Sequence, residues 1–151
     1  MIEFLDKKDS EIKPFKLLKD FYDKAVDCQQ IIPEAMSISS FDSKNNFVDS
    51  RYVNLKFIKD NKLIFFSNYN SKKAQQFDEC SKRVITALIY WNSINIQIRI
   101  RGNISKMDFK LSNEYFKNRS KDKNALAIAS NQSKEIESYE MFFEKYKKTL
   151  D

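Results

Sequence analysis

Histidine is absent from the 151 residues, and that gap removes more chemistry than any other in the composition. Without it there is no Ser-His-Asp or Cys-His nucleophilic machinery and no His-ligated zinc. Two cysteines, Cys28 and Cys80, are too few for a Cys-rich metal site, so no metal is expected. The start, MIEFLDKKDSEIK, lacks the apolar centre of a secretory signal, and both thiols are therefore expected to stay reduced in a cytoplasm. No apolar run approaches the roughly 20 residues of a membrane span. Scarce glycine and proline beside abundant lysine read as a compositional bias without functional meaning. An enzyme made from this set must draw its difficult chemistry from a cofactor, or from Lys, Arg, Tyr and carboxylates.

What is present describes a folded, basic domain. At this length one domain, residues 1–151, is the expectation. An apolar share of 42% with thirteen Phe excludes a disordered chain. The net charge of +6 favours an anionic partner. The basic residues are interleaved with 21 acidic ones, and no block resembles a nucleic-acid-binding arm. A small phosphorylated ligand needs only a few well-placed cations and fits at least as well.

Periodicity divides the chain into an N-terminal helical segment (1–31), strands (34–106) and a helical region (108–151). In KPFKLLKDFYDKAVDCQQ (13–30), Phe15, Leu18, Phe21, Tyr22 and Ala25 recur at helical spacing, with Pro14 at an early position. The period becomes two in AMSISSF (35–41). FVDSRYVNLKFI (47–58) and KLIFFSN (62–68) flank an Asp-Asn pair and read as a hairpin. KKAQQFDEC is a short helix. RVITALIYW (83–91) is nearly continuous in apolar residues and is expected to be buried on both faces. INIQIRIRGNI (94–104) alternates, with Ile94, Ile96, Ile98 and Ile100 opposite Asn95, Gln97, Arg99 and Arg101. Gly102 is expected to mark a bulge or a close backbone approach. Strands following strands, then helices, give an α+β class: a small antiparallel barrel with peripheral helices.

Several cations sit where they need explanation. Lys72 and Lys73 open a helix whose dipole disfavours them; an anion docked on the helix N–H groups would account for both, and solvated side chains are the plain alternative. On a regular strand Arg51 and Lys56 point to opposite faces and can serve different ligand groups, or simply face solvent. Gln97 beside Arg99 and Arg101 is open in the same way. Tyr115, Arg119 and Lys123 recur every four residues and form one stripe if a single helix runs through them. The alternative is an outer helix surface with Phe116 buried.

The ordered set AMSISSFDSKNNFVDSRYVNLKF, LIFFSNYNSKKAQQ, RVITALIYW, IQIRIRGNI and EYFKNRSKDKNALAIASNQS resembles the pyridoxamine 5′-phosphate oxidase family, from about Ala35 to Ser138. The resemblance implies an FMN-binding split β-barrel that dimerises with FMN at the subunit interface. It further implies oxidation of pyridoxine or pyridoxamine phosphate with O₂ as acceptor. By resemblance, Arg51 serves FMN and Lys56 the substrate phosphate. Phe66-Ser67 stands for an aromatic-Thr pair, and Ser71-Lys72-Lys73 for an S-R-K phosphate cradle, where Lys72 keeps charge but loses a bidentate fork. Gln97 matches a flavin-contacting Gln, with Ile96 where an Arg is usual, and Gln132-Ser133 matches a Q-S pair. Tyr115, Arg119 and Lys123 match a substrate-phosphate trio, Lys123 replacing Ser. The family continues with a segment carrying Trp, Arg and R-x-H. This chain is therefore read as a short member in which FMN binding survives the comparison better than catalysis.

Three readings follow. The first is an FMN-dependent oxidase acting on a phosphorylated pyridine or a related small molecule, as a cytoplasmic homodimer. The second is a non-catalytic FMN or pyridoxal-phosphate binding protein. The third is a basic barrel that binds single-stranded nucleic acid.

Overall fold

The computed structural model describes residues 1–9, 11–79, 83–130, 136 and 138–150. They fall into two compact units, one of Met1–Ser67 with Gln76–Ile104, the other of Asn68–Gln75 with Ser105–Asp151. The class is α+β, as the sequence implies, with six strands and five helices among the described residues.

The first unit holds all the strands found among the described residues. Its sheet runs β1 (Glu3–Phe4), β3 (Phe47–Lys59), β2 (Ala35–Asp42), β5 (Val84–Trp91) and β6 (Ile96–Asn103), and β4 (Lys62–Phe65) pairs with β3 off this path. The thirteen-residue β3 carries the chain between two pairings. Its first half lies antiparallel to β2 from Phe47 to Asn54; its second half pairs with β4 and, in parallel, with β1. The barrel is thus not wholly antiparallel. A register shift between Leu55 and Phe57 breaks the alternation, so the buried positions pass from Val53 and Leu55 to Ile58. Asp60 (φ 50°) and Asn61 (φ 60°) make the two-residue β3–β4 turn. Both φ values are positive, as a turn matched to strand twist requires.

Helix α1 (Lys13–Asp27) follows the expected spacing, with Pro14 in its first turn and Leu18, Tyr22 and Ala25 buried. These meet Met36, Ile38, Val53, Leu55, Ile58, Ala87, Ile89 and Trp91 in one core. Trp91, 1% exposed, stacks edge-on to Tyr22 with ring centroids 6.1 Å apart, and its Nε1 donates to the Pro33 carbonyl at 2.7 Å. Burial raises the Tyr22 phenol above its ordinary value, opposed by the Ile2 N–H that donates to its oxygen.

Two strand expectations are corrected. β5 is buried on one face only: Ala87, Ile89 and Trp91 lie inside while Val84, Thr86 and Tyr90 are exposed. Its apolar run reflects β-propensity as much as burial. Gly102 pairs in plain register with Ile85, has no positive φ, and a Cβ there would meet nothing within 4 Å. It marks neither a bulge nor a close approach.

The second unit contains α3 (Phe109–Asn118), α4 (Lys121–Ala129) and α5 (Tyr139–Leu150). Asp108 caps α3 by accepting from the Lys110 N–H at 3.0 Å. Helix α2 (Lys72–Glu79) begins in this unit and ends in the first. No helix among the described residues is long and apolar enough to cross a membrane. Cys28 is an exposed free thiol, and Cys80 lies outside the described residues.

Candidate functional site

In the first unit the polar chemistry converges on Arg51. Strand alternation places Asp49 and Arg51 on the face that continues into Val53 and Leu55, so the guanidinium is drawn inward and is only part-exposed. Its Nη1 donates to Ser40 Oγ at 2.6 Å and to the Asp49 carbonyl at 3.2 Å. Its Nη2 donates to Asp49 Oδ2 at 3.3 Å and to Gln76 Oε1. The ring of Phe77 lies 5.8 Å from the guanidinium carbon. Burial lowers the Arg51 guanidinium from its ordinary value, opposed by the Asp49 charge. An arginine nevertheless stays charged in a protein.

Gln76, 3% exposed, completes this network. Its Oε1 accepts from Ser40 Oγ at 2.8 Å as well as from Arg51, while its Nε2 donates to Asp42 Oδ2 and Asp49 Oδ2, each at 3.2 Å. The orientation is forced. Arginine has no acceptor and ionised carboxylates have no donor, so a flipped amide would face like with like on both sides. Asp42 in turn accepts from the Asn45 side chain and from the backbone N–H groups of Asn45 and Lys44. Those bonds, the Asn45 side chain foremost, hold its carboxyl down to about 2.

Lys56 falls at the β3 register shift, where its Nζ lies 3.6 Å from Glu34 Oε1. The Met1 ammonium lies 3.2 Å from the same oxygen. Burial works to raise the Glu34 carboxyl, but its own backbone N–H, the Met1 ammonium and Lys56 outweigh it, and the net direction is down.

In the second unit the segment before α2 is a built turn. Asn68 Oδ1 accepts from the Asn70 N–H at 2.8 Å, and the Asn68 carbonyl accepts from both the N–H and the hydroxyl of Ser71, at 3.1 and 2.6 Å. Ser71 is fully buried, and its carbonyl accepts from the Ala74 and Gln75 N–H groups. Lys73 Nζ lies 3.4 Å from Ser71 Oγ. Lys72 is exposed, Lys73 half-buried, and the first turn of α2 holds no acidic residue. Lys106 adds a third ammonium, 5.4 Å from the ring centre of Tyr69. The donor set of a buried serine, lysines and a helix start fits a phosphate.

Comparison with known proteins fixes the family. No family model matches the chain. Pyridoxine/pyridoxamine 5′-phosphate oxidase 1 of Hydrogenovibrio crunogenus is 32% identical over 146 residues, covering 97% of this chain and 66% of that one. The pyridoxine/pyridoxamine 5′-phosphate oxidase of Legionella pneumophila (strain Paris) is 35% identical over 133 residues, 87% of this chain and 60% of its own length. PhzG from Burkholderia lata, solved in complex with tetrahydrophenazine-1-carboxylic acid, superposes with a TM-score of 0.84 at 25% identity, over 91% of this chain and 66% of that one. A pyridoxamine 5′-phosphate oxidase-related, FMN-binding protein of Nostoc punctiforme shares the fold, with a TM-score of 0.64 at 16% identity over 83% and 70% of the two chains. The chain belongs to the pyridoxine/pyridoxamine 5′-phosphate oxidase family. Its fold is that family's split barrel. It spans 66% and 60% of the first two curated relatives.

Against the family pattern the carried-over residues separate by unit. Arg51, Lys56, Phe66, Ser67 and Gln97 lie in the first; Lys72, Lys73, Tyr115, Arg119 and Lys123 in the second. Phe66 sits just past β4, edge-on to Phe57 at 5.9 Å, next along the chain from Ser67. Gln97 is exposed on β6 opposite Tyr90, whereas Arg51 is in register with Ile38 and Ala87 on the buried face of the sheet. Gln132 and Ser133 lie outside the described residues. The single-helix stripe of Tyr115, Arg119 and Lys123 is corrected: α3 ends at Asn118, Arg119 is extended (ψ 150°), and Ser120 starts α4. Phe116 is exposed rather than buried. Gln76 escaped the sequence reading because an exposed helical Gln and a buried one look alike. Its one signal is shared spacing with Lys73 and Phe77, which marks the inward side of α2.

Proposed function

We propose that this chain binds FMN and oxidises a phosphorylated pyridine of the vitamin B6 type, with O₂ as acceptor. The observation that carries the reading is the Asn68–Lys73 turn, which joins a buried serine, two lysines and a helix start without a carboxylate in its first turn. That is an arrangement for a phosphate, and the relatives named for pyridoxine phosphate oxidation supply the chemical context. FMN, when bound, supplies a ring that accepts a hydride equivalent and passes the electrons to O₂, giving peroxide.

The chain's own residues bind and orient. Lys72 and Lys73 neutralise the cofactor phosphate, with Ser71 fixing the turn that presents them. Arg51 adds positive charge through a guanidinium whose terminal N–H groups are already committed to Ser40, Asp49 and Gln76. Lys56 serves the substrate phosphate, for which it must exchange its contact with Glu34. Tyr115, Arg119 and Lys123 are carried over as further substrate contacts.

A homodimer belongs to the same proposal. Arg51 and Gln97 occupy opposite faces of one sheet. A cofactor that meets both draws them from two copies of the chain.

PhzG supports a second reading of the substrate as a partly reduced heterocycle that carries a carboxylate instead of a phosphate. Flavin fluorescence during titration of the purified chain tests the cofactor. Saturable quenching at micromolar FMN is expected, and no quenching overturns the proposal. Peroxide release on adding pyridoxamine phosphate then separates an oxidase from a non-catalytic flavin binder.

A further inference from the structure

Gln76 is a buried residue that none of the cofactor or substrate roles above uses, yet its side-chain amide is fully engaged. It makes four hydrogen bonds, two accepted and two donated, to three strand carboxylate or hydroxyl side chains and to Arg51. Those partners come from two strands: Ser40 and Asp42 on β2, Asp49 and Arg51 on β3. Three residues earlier on its own helix stands Lys73, one turn away.

We infer that Gln76 is a positioning residue for flavin binding: its amide sets the Arg51 guanidinium. At 3% exposure it does not itself meet a ligand. The inference rests on the proposed flavin reading. Its physical basis is that Gln76 is a neutral adapter. Asp42 and Asp49 accept on one side of it while Ser40 and Arg51 donate on the other, and only a side chain with an acceptor on one side and a donor on the other satisfies all four neighbours. Leucine would leave those four groups without the amide. Glutamate would present a third carboxylate to Asp42 and Asp49, with Arg51 as the single opposing charge and Ser40 as the only other partner.

The test compares FMN titrations of wild type, Gln76→Leu and Gln76→Glu, followed by flavin fluorescence, with circular dichroism confirming that each variant is folded. Gln76→Leu is expected to weaken FMN binding by about tenfold or more, as loss of bonds to charged groups implies. Gln76→Glu gives the readout that a purely structural role would not move. When protonated, its carboxyl keeps an acceptor and offers one O–H, restoring one of the amide's two donated bonds; when ionised it has no donor at all. The ratio of variant to wild-type dissociation constants should therefore be smallest at pH 5 and rise by about tenfold toward pH 8. Taking the ratio cancels titration of the FMN phosphate. Wild-type binding with an unchanged Gln76→Leu variant, or a ratio flat with pH, overturns this inference alone. Absence of FMN binding by the wild type overturns the flavin reading itself. If Gln76→Leu does not fold, the pH ratio of Gln76→Glu decides.

Discussion

Replacing Lys73 by alanine should weaken FMN binding far more than replacing Lys72, although the two are neighbours in the same cradle. The difference follows from burial. Lys73 is half-buried with its ammonium 3.4 Å from the Ser71 hydroxyl, whereas Lys72 is exposed. A hydrogen bond from a partly desolvated ammonium to a phosphate contributes ~1.5–3 kcal/mol, or roughly 10- to 150-fold in affinity. An exposed ammonium contributes ~0.2–1 kcal/mol, at most about fivefold, and salt screens it. The assay is flavin fluorescence titration of both variants at about 0.05 M and about 0.5 M salt. The Lys72→Ala defect should shrink toward unity at the higher salt, and the Lys73→Ala defect should largely persist. A Lys73→Ala variant within twofold of wild type, or a Lys72→Ala defect equal to it at high salt, would refute the assignment of the phosphate to this turn.

Three further perturbations test the scaffold. Trp91→Phe removes the donor to the Pro33 carbonyl and opens space beside Tyr22, so urea unfolding followed by circular dichroism should show a loss of about 2–4 kcal/mol. Asp42 has a folded-state pKa of about 2 against an ordinary 3.8, so the stability it contributes is present above about pH 4 and is lost as pH falls toward 2. Asp42→Asn should accordingly be less stable than wild type near neutrality, with the gap closing as unfolding is measured at successively lower pH. At the β3–β4 turn Asn61 has φ 60°, so Asn61→Val should cost about 1–2 kcal/mol while Asn61→Gly stays within a few tenths in the same unfolding assay.

Most of the strand framework was legible because the strands alternate between an inward and an exposed face, fully buried in β2 and β5 and half-buried in β6. INIQIRIR announces β6 by alternation, and the Asp-Asn pair announces its turn by the residue types that tolerate positive φ. Tertiary context set what could not be read. The apolar run of β5 carries no mark that only Ala87, Ile89 and Trp91 turn inward. The two-residue β1 is too short for any period, and the shift at Lys56 needs the β4 partner to be seen. The break after α3 did have a signal: Ser120 with Asp122 two residues on is helix-start chemistry, and the Phe116 carbonyl is met by the Arg119 N–H and the Asn124 side chain. Of the candidate site, the chain positions of the cations were legible, but their engagement was not. Only the folded chain shows Arg51 turned to Ser40, Asp49 and Gln76, and Lys56 beside Glu34.

The two lysines at the start of α2 pose a stability question whose answer lies at the other end of that helix. Eight residues are too few to hold a helix in water by propensity, and a first turn without an acidic residue forgoes the usual dipole stabilisation. Something else must hold α2, and its second half supplies it. Gln76 is keyed into β2 and β3, Phe77 stacks edge-on to Phe65 at 6.4 Å, and Glu79 pairs with Lys44 at 2.6 Å. The Lys44–Glu79 pair is surface-exposed and adds little; the buried amide and the aromatic contact dominate. A helix anchored by its last turns does not need favourable electrostatics in its first. That division leaves the first turn available to be shaped for an anion, with the positive charge an isolated helix would avoid and a phosphate site requires.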